Sequence, residues 1–443
     1  MGSSRALLWK LLILAGIGLL LSAALLRIGF LVDERQGRQR EAFESVVQAQ
    51  AGAQTLLGPL LLRHCSEEWE NASGEGKERR TSREKRQFML AAVPSQLNLG
   101  GALNQEPRYR GIFKVNGYAG PLQLDAQWAS LEALQPRAEH AGSRLACEDP
   151  VVMLAASDAR GLRAAELKRG QEVLRIRPGT RHESYARGLH AQLPDLALEQ
   201  PLELRLRLEL AGTQCFALVP AAAATRMTLR SDWPHPSFGG RFLPGEREIG
   251  EAGFSAAWQT TELASTAAAD VLAQRPVGEL DTLEFAMVDP VNPYVMSDRA
   301  IKYGLMFILL TFVCVGLVEL LAGRRVHPVQ YLLVGLALSL FFLLLLSLSE
   351  HLSFGLSYLL AAGAAVGLLG FYGAAMLDGW WRGLGFGALV AGLYAALYAL
   401  LNMEQTALVI GALLLFAVLA AVMTLTRRID WYALGATGMR PSR

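Results

Sequence analysis

The C-terminal part of the chain most limits its fold, because from Tyr303 onward the sequence consists of apolar runs with short polar breaks. Each run is close to the ~20 residues that a helix needs to cross the hydrocarbon core of a bilayer. The sequence therefore predicts an α-helical bundle integral to a membrane. The predicted spans of this bundle are residues 303–322, 329–349, 353–377, 384–401 and 406–425.

A sixth predicted span lies near the N-terminus, where residues 7–32 are apolar apart from Lys10 and Arg27. This run is longer than the ~7–15-residue apolar core of a signal peptide, which favours an uncleaved anchor over a cleaved signal. Only 19% of the residues are charged, against about 25% in soluble domains. The net charge of +2 gives no basic bias, and no nucleic-acid-binding motif is present, so we expect no nucleic acid partner.

The basic side chains predict the topology, since Lys and Arg of short loops collect on the cytoplasmic side of a membrane. With six spans, every basic residue beyond Lys302 falls on one side. Both termini are therefore predicted to be cytoplasmic, and residues 33–302 to lie on the opposite side of the membrane. The basic residues in question are Arg324, Arg325, Arg382, Arg427, Arg428, Arg440 and Arg443.

The polar region is predicted to be a large, β-rich, sandwich-like domain. In residues 202–210, leucines alternate strictly with Glu and Arg, as in a strand with one buried and one wet face. Residues 33–57 have helical spacing and are predicted to form a membrane-proximal helix ended by Gly58-Pro59. Residues 64–87 are predicted to be a charged surface loop or hairpin tip. The predicted division is 1–32 (cytoplasmic tip and anchor), 33–302 (periplasmic domain), 303–426 (five-span bundle) and 427–443 (cytoplasmic tail).

The domain offers little sign of catalytic chemistry. The histidines have no metal-ligand spacing, and nucleotide-binding, zinc-protease and hydrolase motifs are absent from the sequence, so we expect no enzyme activity, metal or cofactor. Residues 233–244 could line a ligand groove, although rings that cap the core are the favoured interpretation. Cys65, Cys147 and Cys215 permit one disulfide, and the sequence leaves the pair open.

A few charged residues lie near the ends of the predicted membrane spans. Glu319 is expected to pair with Arg324 or Arg325 near one end of its span. At the other end, an antiparallel hairpin of the second and third spans would bring the start of one helix near the end of the next. We predict that Arg299 or Lys302 pairs with Glu350 there, with bare solvation of all five side chains as the alternative. This candidate polar cluster consists of Asp298, Arg299, Lys302, Glu350 and His351.

Several segments resemble a known family. In the membrane half they are SDRAIKYG (297–304), HPVQYLLVGLALSLFFLLLLSLSEH (327–351) and TRRIDWY (426–432); in the domain they are GPL (58–60), RYRGIF (108–113), SDARGL (157–162), WPHPSFGGRFLP (233–244) and GFSAAW (253–258). The chain resembles the CreD inner-membrane proteins, a bacterial group described as cell-envelope integrity proteins and associated with the Cre two-component stress response. The resemblance implies an anchor, a periplasmic domain and a helical bundle, and it transfers no catalytic residue.

Together these features predict a non-enzymatic envelope-integrity and stress-response protein whose periplasmic domain binds or senses an envelope component. The alternative is a transporter that carries a small molecule or lipid through the bundle. The expected partners are the lipid bilayer and an envelope protein or lipid. Few charges lie inside the spans and no inverted repeat is evident, which weighs against transport.

Overall fold

The computed structural model describes residues 2–73, 80–289, 292–322, 326–403 and 407–427. Residue contacts divide the chain into two compact units. One unit contains Met1–Arg40 and Val291–Arg443, and the other contains Glu41–Pro290.

The first helix, α1, is continuous from Gly2 to Ala49. The prediction that a helix extends to Gly58-Pro59 is wrong, because strand β1 begins at Gln54 and passes through both residues. Pro59 follows a cis peptide bond and lies where the pairing with a neighbouring strand shifts register between Leu57 and Leu60. Proline has no N–H to donate to a ladder, so such an irregularity accommodates it.

The domain, residues 41–290, is built mainly from strands. Its described elements, in chain order, are β1 (Gln54–Ser73), β2 (Arg80–Ala92), β3 (Gln96–Ala102), β4 (Asn104–Gln105), β5 (Arg108–Arg110), β6 (Phe113–Val115), β7 (Gly117–Trp128), β8 (Arg144–Cys147), β9 (Val151–Ala156), β10 (Leu162–Arg169), β11 (Glu172–Leu174), β12 (Ile176–Pro178), β13 (Gly188–Gln192), β14 (Leu202–Thr213), β15 (Cys215–Val219), β16 (Ala224–Ser231), β17 (Pro236–Gly240), β18 (Glu246–Gly250), β19 (Gly253–Thr261), helix α2 (Ala267–Leu272) and β20 (Leu283–Met287).

These strands form two large mixed sheets and a small hairpin. The first sheet has the order β12-β13-β9-β1-β15-β20-β17, with β2 and β8 also paired to β1. The second has the order β11-β10-β14-β7-β3-β16-β19-β18, with β4 paired to β7, and β5 pairs with β6. Most neighbours are antiparallel, whereas β1–β15 and β3–β16 are parallel. The β-rich domain is thus present, and its sandwich-like shape stays a prediction.

Buried side chains of both sheets form one hydrophobic cluster. Trp128 from the second sheet and Phe216 and Phe285 from the first belong to it. The alternation predicted for residues 202–210 is confirmed, because the five leucines of β14 are buried and the Glu and Arg residues between them are not. By contrast, all six residues of β9 are buried, as expected for a strand covered on both faces.

Two polar segments of the domain have defined positions. Within residues 64–87, β1 and β2 form a hairpin whose pairing runs from Leu61 opposite Ala92 to Ser73 opposite Arg80, and the tip at 74–79 lies outside the described residues. In residues 233–244, Phe238 packs edge-on against the rings of Phe254 and Trp258, which agrees with rings that cap the core.

Among the described residues, six helices are long and apolar enough to cross a membrane, in agreement with the six predicted spans. The first bundle helix after the domain begins at Pro293, ahead of the predicted start at Tyr303. The prediction followed only the apolar run, whereas the backbone hydrogen bonds of a helix can continue into polar sequence. The bundle helices after the domain are α3 (Pro293–Ala322), α4 (Pro328–Ser349), α5 (Phe354–Met376), α6 (Trp380–Asn402) and α7 (Ala407–Thr426).

Small residues allow the helices of this unit to approach closely. Leu21 of α1 packs directly against Gly335 of α4. A Cβ atom added to Gly335 would lie only 2.2 Å from the Cδ1 atom of Leu21. Leu21, Leu25 and Ile28 of α1 share one buried cluster with side chains of α3 and α4. The N-terminal helix is therefore a packed member of the bundle, and small residues at helix contacts are typical of membrane bundles.

Candidate functional site

The predicted cluster at the start of α3 and the end of α4 has different pairings from those expected. The Lys302 Nζ contacts Asp298 Oδ2 at 2.6 Å, one turn away on the same helix. Among the described residues, Glu350 is paired with neither Arg299 nor Lys302. His351 follows Glu350 and is exposed.

Glu350 instead contacts two residues that the sequence prediction did not include. Arg35 Nε of α1 lies 3.4 Å from Glu350 Oε1, and the Tyr294 hydroxyl of α3 donates to the same oxygen at 3.3 Å. The prediction failed because it treated α1 as an isolated anchor, whereas α1 packs against the α3–α4 hairpin. We call Arg35, Tyr294 and Glu350 the Glu350 clamp.

A second clamp, again made of a cation, a carboxylate and a tyrosine, lies at the opposite end of that hairpin. Lys10 of α1 pairs with Glu319 of α3, and the Tyr331 hydroxyl of α4 donates to Glu319 Oε2 at 3.0 Å. Lys10 Nζ also lies 5.7 Å from the centre of the Tyr331 ring, within cation–π range. Arg324 and Arg325, the predicted partners of Glu319, lie outside the described residues. We call Lys10, Glu319 and Tyr331 the Glu319 clamp.

The two clamps exchange the roles of α3 and α4. In each, α1 supplies the cation, one hairpin helix supplies the carboxylate and the other supplies the tyrosine. At 1.5 Å per residue, Lys10 and Arg35 are about 37 Å apart along the helix, slightly more than the ~30 Å hydrocarbon thickness of a bilayer. Charge is costly in hydrocarbon, so this spacing suits clamps at the two edges of the apolar layer. Lys10 is a cation inside an apolar run, and this was the signal in the sequence that α1 has an acidic partner in the bundle.

In the domain, the SDARGL segment binds the C-terminal end of α1. The Arg160 guanidinium pairs with the Asp158 carboxylate, with Nη2 2.6 Å from Oδ2, and donates to the carbonyl oxygens of Val47 and Gln48. Asp158 Oδ2 also accepts from the backbone N–H of Gly52 at 3.2 Å. The last carbonyls of a helix carry partial negative charge, so a cation stabilises them.

The same pair is electrostatically well matched. The Arg160 side chain, as the strongest hydrogen-bond donor to the Asp158 carboxylate, lowers the pKa of Asp158 to about 2. Reciprocally, the hydrogen bond to Asp158 raises the pKa of Arg160. Asp158 is therefore ionised at any pH near neutrality, so its pairing with Arg160 does not change with pH there.

A polar cavity of about 190 Å³ lies beside this attachment. Glu106 bridges two arginines across its rim, with Oε1 2.7 Å from Arg108 Nη2 and Oε2 2.6 Å from Arg163 Nη2. We call the cavity the arginine pocket; its lining residues are Gln50, Ala51, Glu106, Gly117, Tyr118, Arg160, Arg163, Ala211 and Gly212. Arg108 and Arg160 belong to the RYRGIF and SDARGL segments, which therefore meet here.

A second polar site organises the segment after the second sheet's β7. The side chain of Glu67 on β1 is fully buried. Its carboxylate accepts from the backbone N–H groups of Glu139 and His140 at 2.9 Å each and from the Ser143 hydroxyl at 2.7 Å. Chiefly because of the His140 N–H bond, and then the Ser143 bond, the pKa of Glu67 falls to about 2. Arg86 Nη2 completes the site at 3.2 Å.

Strand register determines which two cysteines pair. Cys65 of β1 lies directly opposite Cys147 of β8, and the two form a disulfide. Cys215 carries a free thiol, and burial raises its pKa to about 12. Within the described residues, no group of three or more His, Cys, Asp or Glu side chains is placed to bind a metal.

Comparison with known proteins agrees with this architecture. The model of the family described as "Inner membrane protein CreD" matches residues 6–432. The chain belongs to the CreD family. A curated relative, the inner membrane protein CreD of Escherichia coli (strain K12), is 34% identical over 443 residues, which cover 99% of this chain and 96% of the relative. The resemblance predicted from the sequence is confirmed, and this CreD chain is an inner-membrane family member with several membrane-spanning helices.

Proposed function

We propose that this CreD protein is a non-enzymatic envelope-integrity and stress-response protein whose domain lies in the periplasm and binds or senses an envelope component. The observation that carries the proposal is the Cys65–Cys147 disulfide in the domain. Disulfides persist in oxidising compartments such as the periplasm and are rare in the cytosol. The distribution of basic residues in the membrane half supports the same orientation.

The cavities support binding by the domain over transport through the bundle. The lining of the arginine pocket includes three charged residues, Glu106, Arg160 and Arg163. In the bundle, a cavity of about 10 Å³ is lined mainly by apolar side chains, among them Phe307, Leu338 and Val390. A transport path for a polar solute needs polar groups near the midplane, so the alternative transporter function has less support.

The proposal is tested by envelope leakage. In cells that lack this protein, we expect a mild detergent stress to release more of a periplasmic reporter enzyme than in cells that contain it, and the wild-type chain to restore retention. Unchanged leakage in the cells that lack the protein would reject the envelope-integrity role.

The location is tested in the same cells by thiol labelling. In a chain whose free Cys215 and Cys314 are changed to Ser, Leu263→Cys provides a highly exposed domain position, since Leu263 is 95% exposed. An impermeant maleimide should label it in intact spheroplasts, whereas Arg427→Cys should react only after permeabilisation. The reverse pattern would place the domain in the cytoplasm.

A further inference from the structure

The group formed by Arg108, Glu106 and Arg163 has more positive than negative charge. One carboxylate serves two guanidinium groups, which leaves a net charge of +1 at the rim of the arginine pocket. Asp158 does not offset it, because that carboxylate is matched by Arg160. A rim with surplus positive charge attracts anions.

Arg163 has unused hydrogen-bonding capacity beside the cavity. A guanidinium has five N–H donors, and in the described structure the Arg163 side chain makes one hydrogen bond, from Nη2 to Glu106. Its side chain is 40% exposed, so the remaining donors can be reached from solvent. The planar fork of arginine matches the paired oxygens of carboxylate and phosphate groups.

The C-terminal end of α1 lies close to the pocket, and its partial negative charge opposes the positive charge of the arginine group. Gln50 and Ala51 line the pocket just after the last turn of α1, and the partial negative charge of a helix C-terminus disfavours an anion. Arg160 donates to the carbonyls of Val47 and Gln48, but its charge is already matched by Asp158, so the helix end still contributes roughly −0.5 charge. Set against the +1 of Arg108, Glu106 and Arg163, this leaves the pocket with a positive balance of roughly half a charge.

We propose that the arginine pocket is a binding site for an oxyanion, a phosphate or carboxylate group of an envelope component, with Arg163 as its principal ligand. The inference rests on the proposed binding role of the domain and names its ligand class. The bound group would lie next to the Asp158–Arg160 pair, so occupancy would add hydrogen bonds beside the attachment of α1 and stabilise it.

The test uses the full-length protein, purified in a neutral detergent, and follows its thermal unfolding during titration with inorganic phosphate or succinate against potassium chloride of equal ionic strength. We expect the oxyanions to raise the Tm of the wild type. Loss of a charge-assisted hydrogen bond costs about 1.5–3 kcal/mol, so Arg163→Gln should weaken the apparent affinity roughly tenfold or more. Arg207→Gln is the matched control, because Arg207 is exposed on β14 of the same sheet.

A lipid source is distinguished by a second arm with nanodiscs of phosphatidylglycerol or phosphatidylcholine. A Tm rise that requires both phosphatidylglycerol and Arg163, without a response to free phosphate or succinate, would identify a headgroup as the ligand. Should Arg163→Gln unfold, Arg163→Lys keeps the charge and removes the fork, and intermediate affinity is expected.

Equal responses of the wild type, Arg163→Gln and Arg207→Gln in both arms, or no response in either arm, would overturn the assignment of the pocket. The leakage assay reads the envelope role independently. Intact protection by Arg163→Gln combined with unchanged anion binding would therefore reject the pocket while leaving the proposed function in place.

Discussion

At the scale of single residues, Glu67 combines full burial with a negative charge. Burial alone disfavours a carboxylate, but three hydrogen bonds from residues 139–143 and the nearby Arg86 compensate for it. The site connects β1 to a segment with little regular secondary structure. Its low pKa makes this contribution to stability dependent on pH.

We predict that Glu67→Gln lowers the Tm of the protein at neutral pH and that the difference from the wild type disappears in acid. Because the folded-state pKa of about 2 lies below the ordinary value of 4.5, the charge stabilises the fold fully above pH 4.5 and progressively less as the pH falls toward 2. Thermal unfolding across this range measures the effect. Glu70→Gln, an exposed position on the same strand, should differ little from the wild type at any pH, and equal losses in both variants would contradict the prediction.

At the scale of elements, the α5–α6 pair depends on glycine. A Cβ on Gly383 would lie 2.5 Å from Cα, Cβ and N of Ala374, and Gly370 and Gly387 face each other at a second close contact. These contacts include backbone atoms, which cannot move aside as a side-chain tip can. The close approach of the two helices therefore requires the missing side chains.

Gly383→Ala should accordingly destabilise the bundle by about 1–3 kcal/mol, the usual cost of overpacking. Gly385→Ala is a matched control on the same helix, because its Cβ would meet no atom within 4 Å; we expect it to be neutral or slightly stabilising, since alanine favours helix over glycine. The free energy of unfolding of both variants, measured in the same detergent, tests this prediction. Equal stability of the two would show that the close contact does not limit packing.

At the scale of the whole molecule, the two clamps connect the N-terminal helix to residues more than 300 positions later in the chain. The contacts also involve tyrosines, so each carboxylate has a second donor besides the cation. Glu350 is only 11% exposed, so removal of its cationic partner leaves a charge that solvent hydrates poorly. α1 is thus a structural part of the bundle as well as an anchor.

Reversal of one charge in the Glu350 clamp should weaken this connection, and reversal of both should restore it. We expect Arg35→Glu or Glu350→Arg to cost on the order of 1–3 kcal/mol, between the values for exposed and buried pairs, and the double variant to recover most of it. The readout is disulfide formation between Leu21→Cys and Gly335→Cys, which adjoin in the packed state, together with Tm. Arg38→Glu, which alters an exposed pair with Glu34, is the control; an effect of equal size there would contradict a specific clamp.

Much of the architecture could be predicted because it depends on local pattern. The six spans follow from the length of apolar runs, and the buried face of β14 follows from the alternation of leucine with charge. The predicted extension of the helix to Gly58-Pro59 was wrong, because a Gly-Pro step ends a helix or interrupts a strand equally well. Pairing with the neighbouring strands β9 and β15 selects the strand. The partner of Glu350 was missed because it depends on which face of α1 meets the hairpin.

The sequence by itself therefore determined what each segment can be: an apolar helix, a one-sided strand or a charged turn, since hydrophobic period and run length act over a few residues. It also identified the family through its segments. Only the tertiary structure decided which residues meet across long separations: Cys65 with Cys147, Arg35 with Glu350, Lys10 with Glu319, and Arg163 with Glu106. Such pairs depend on strand register and helix rotation, which arise from the packing of the whole chain and leave no periodic trace in it.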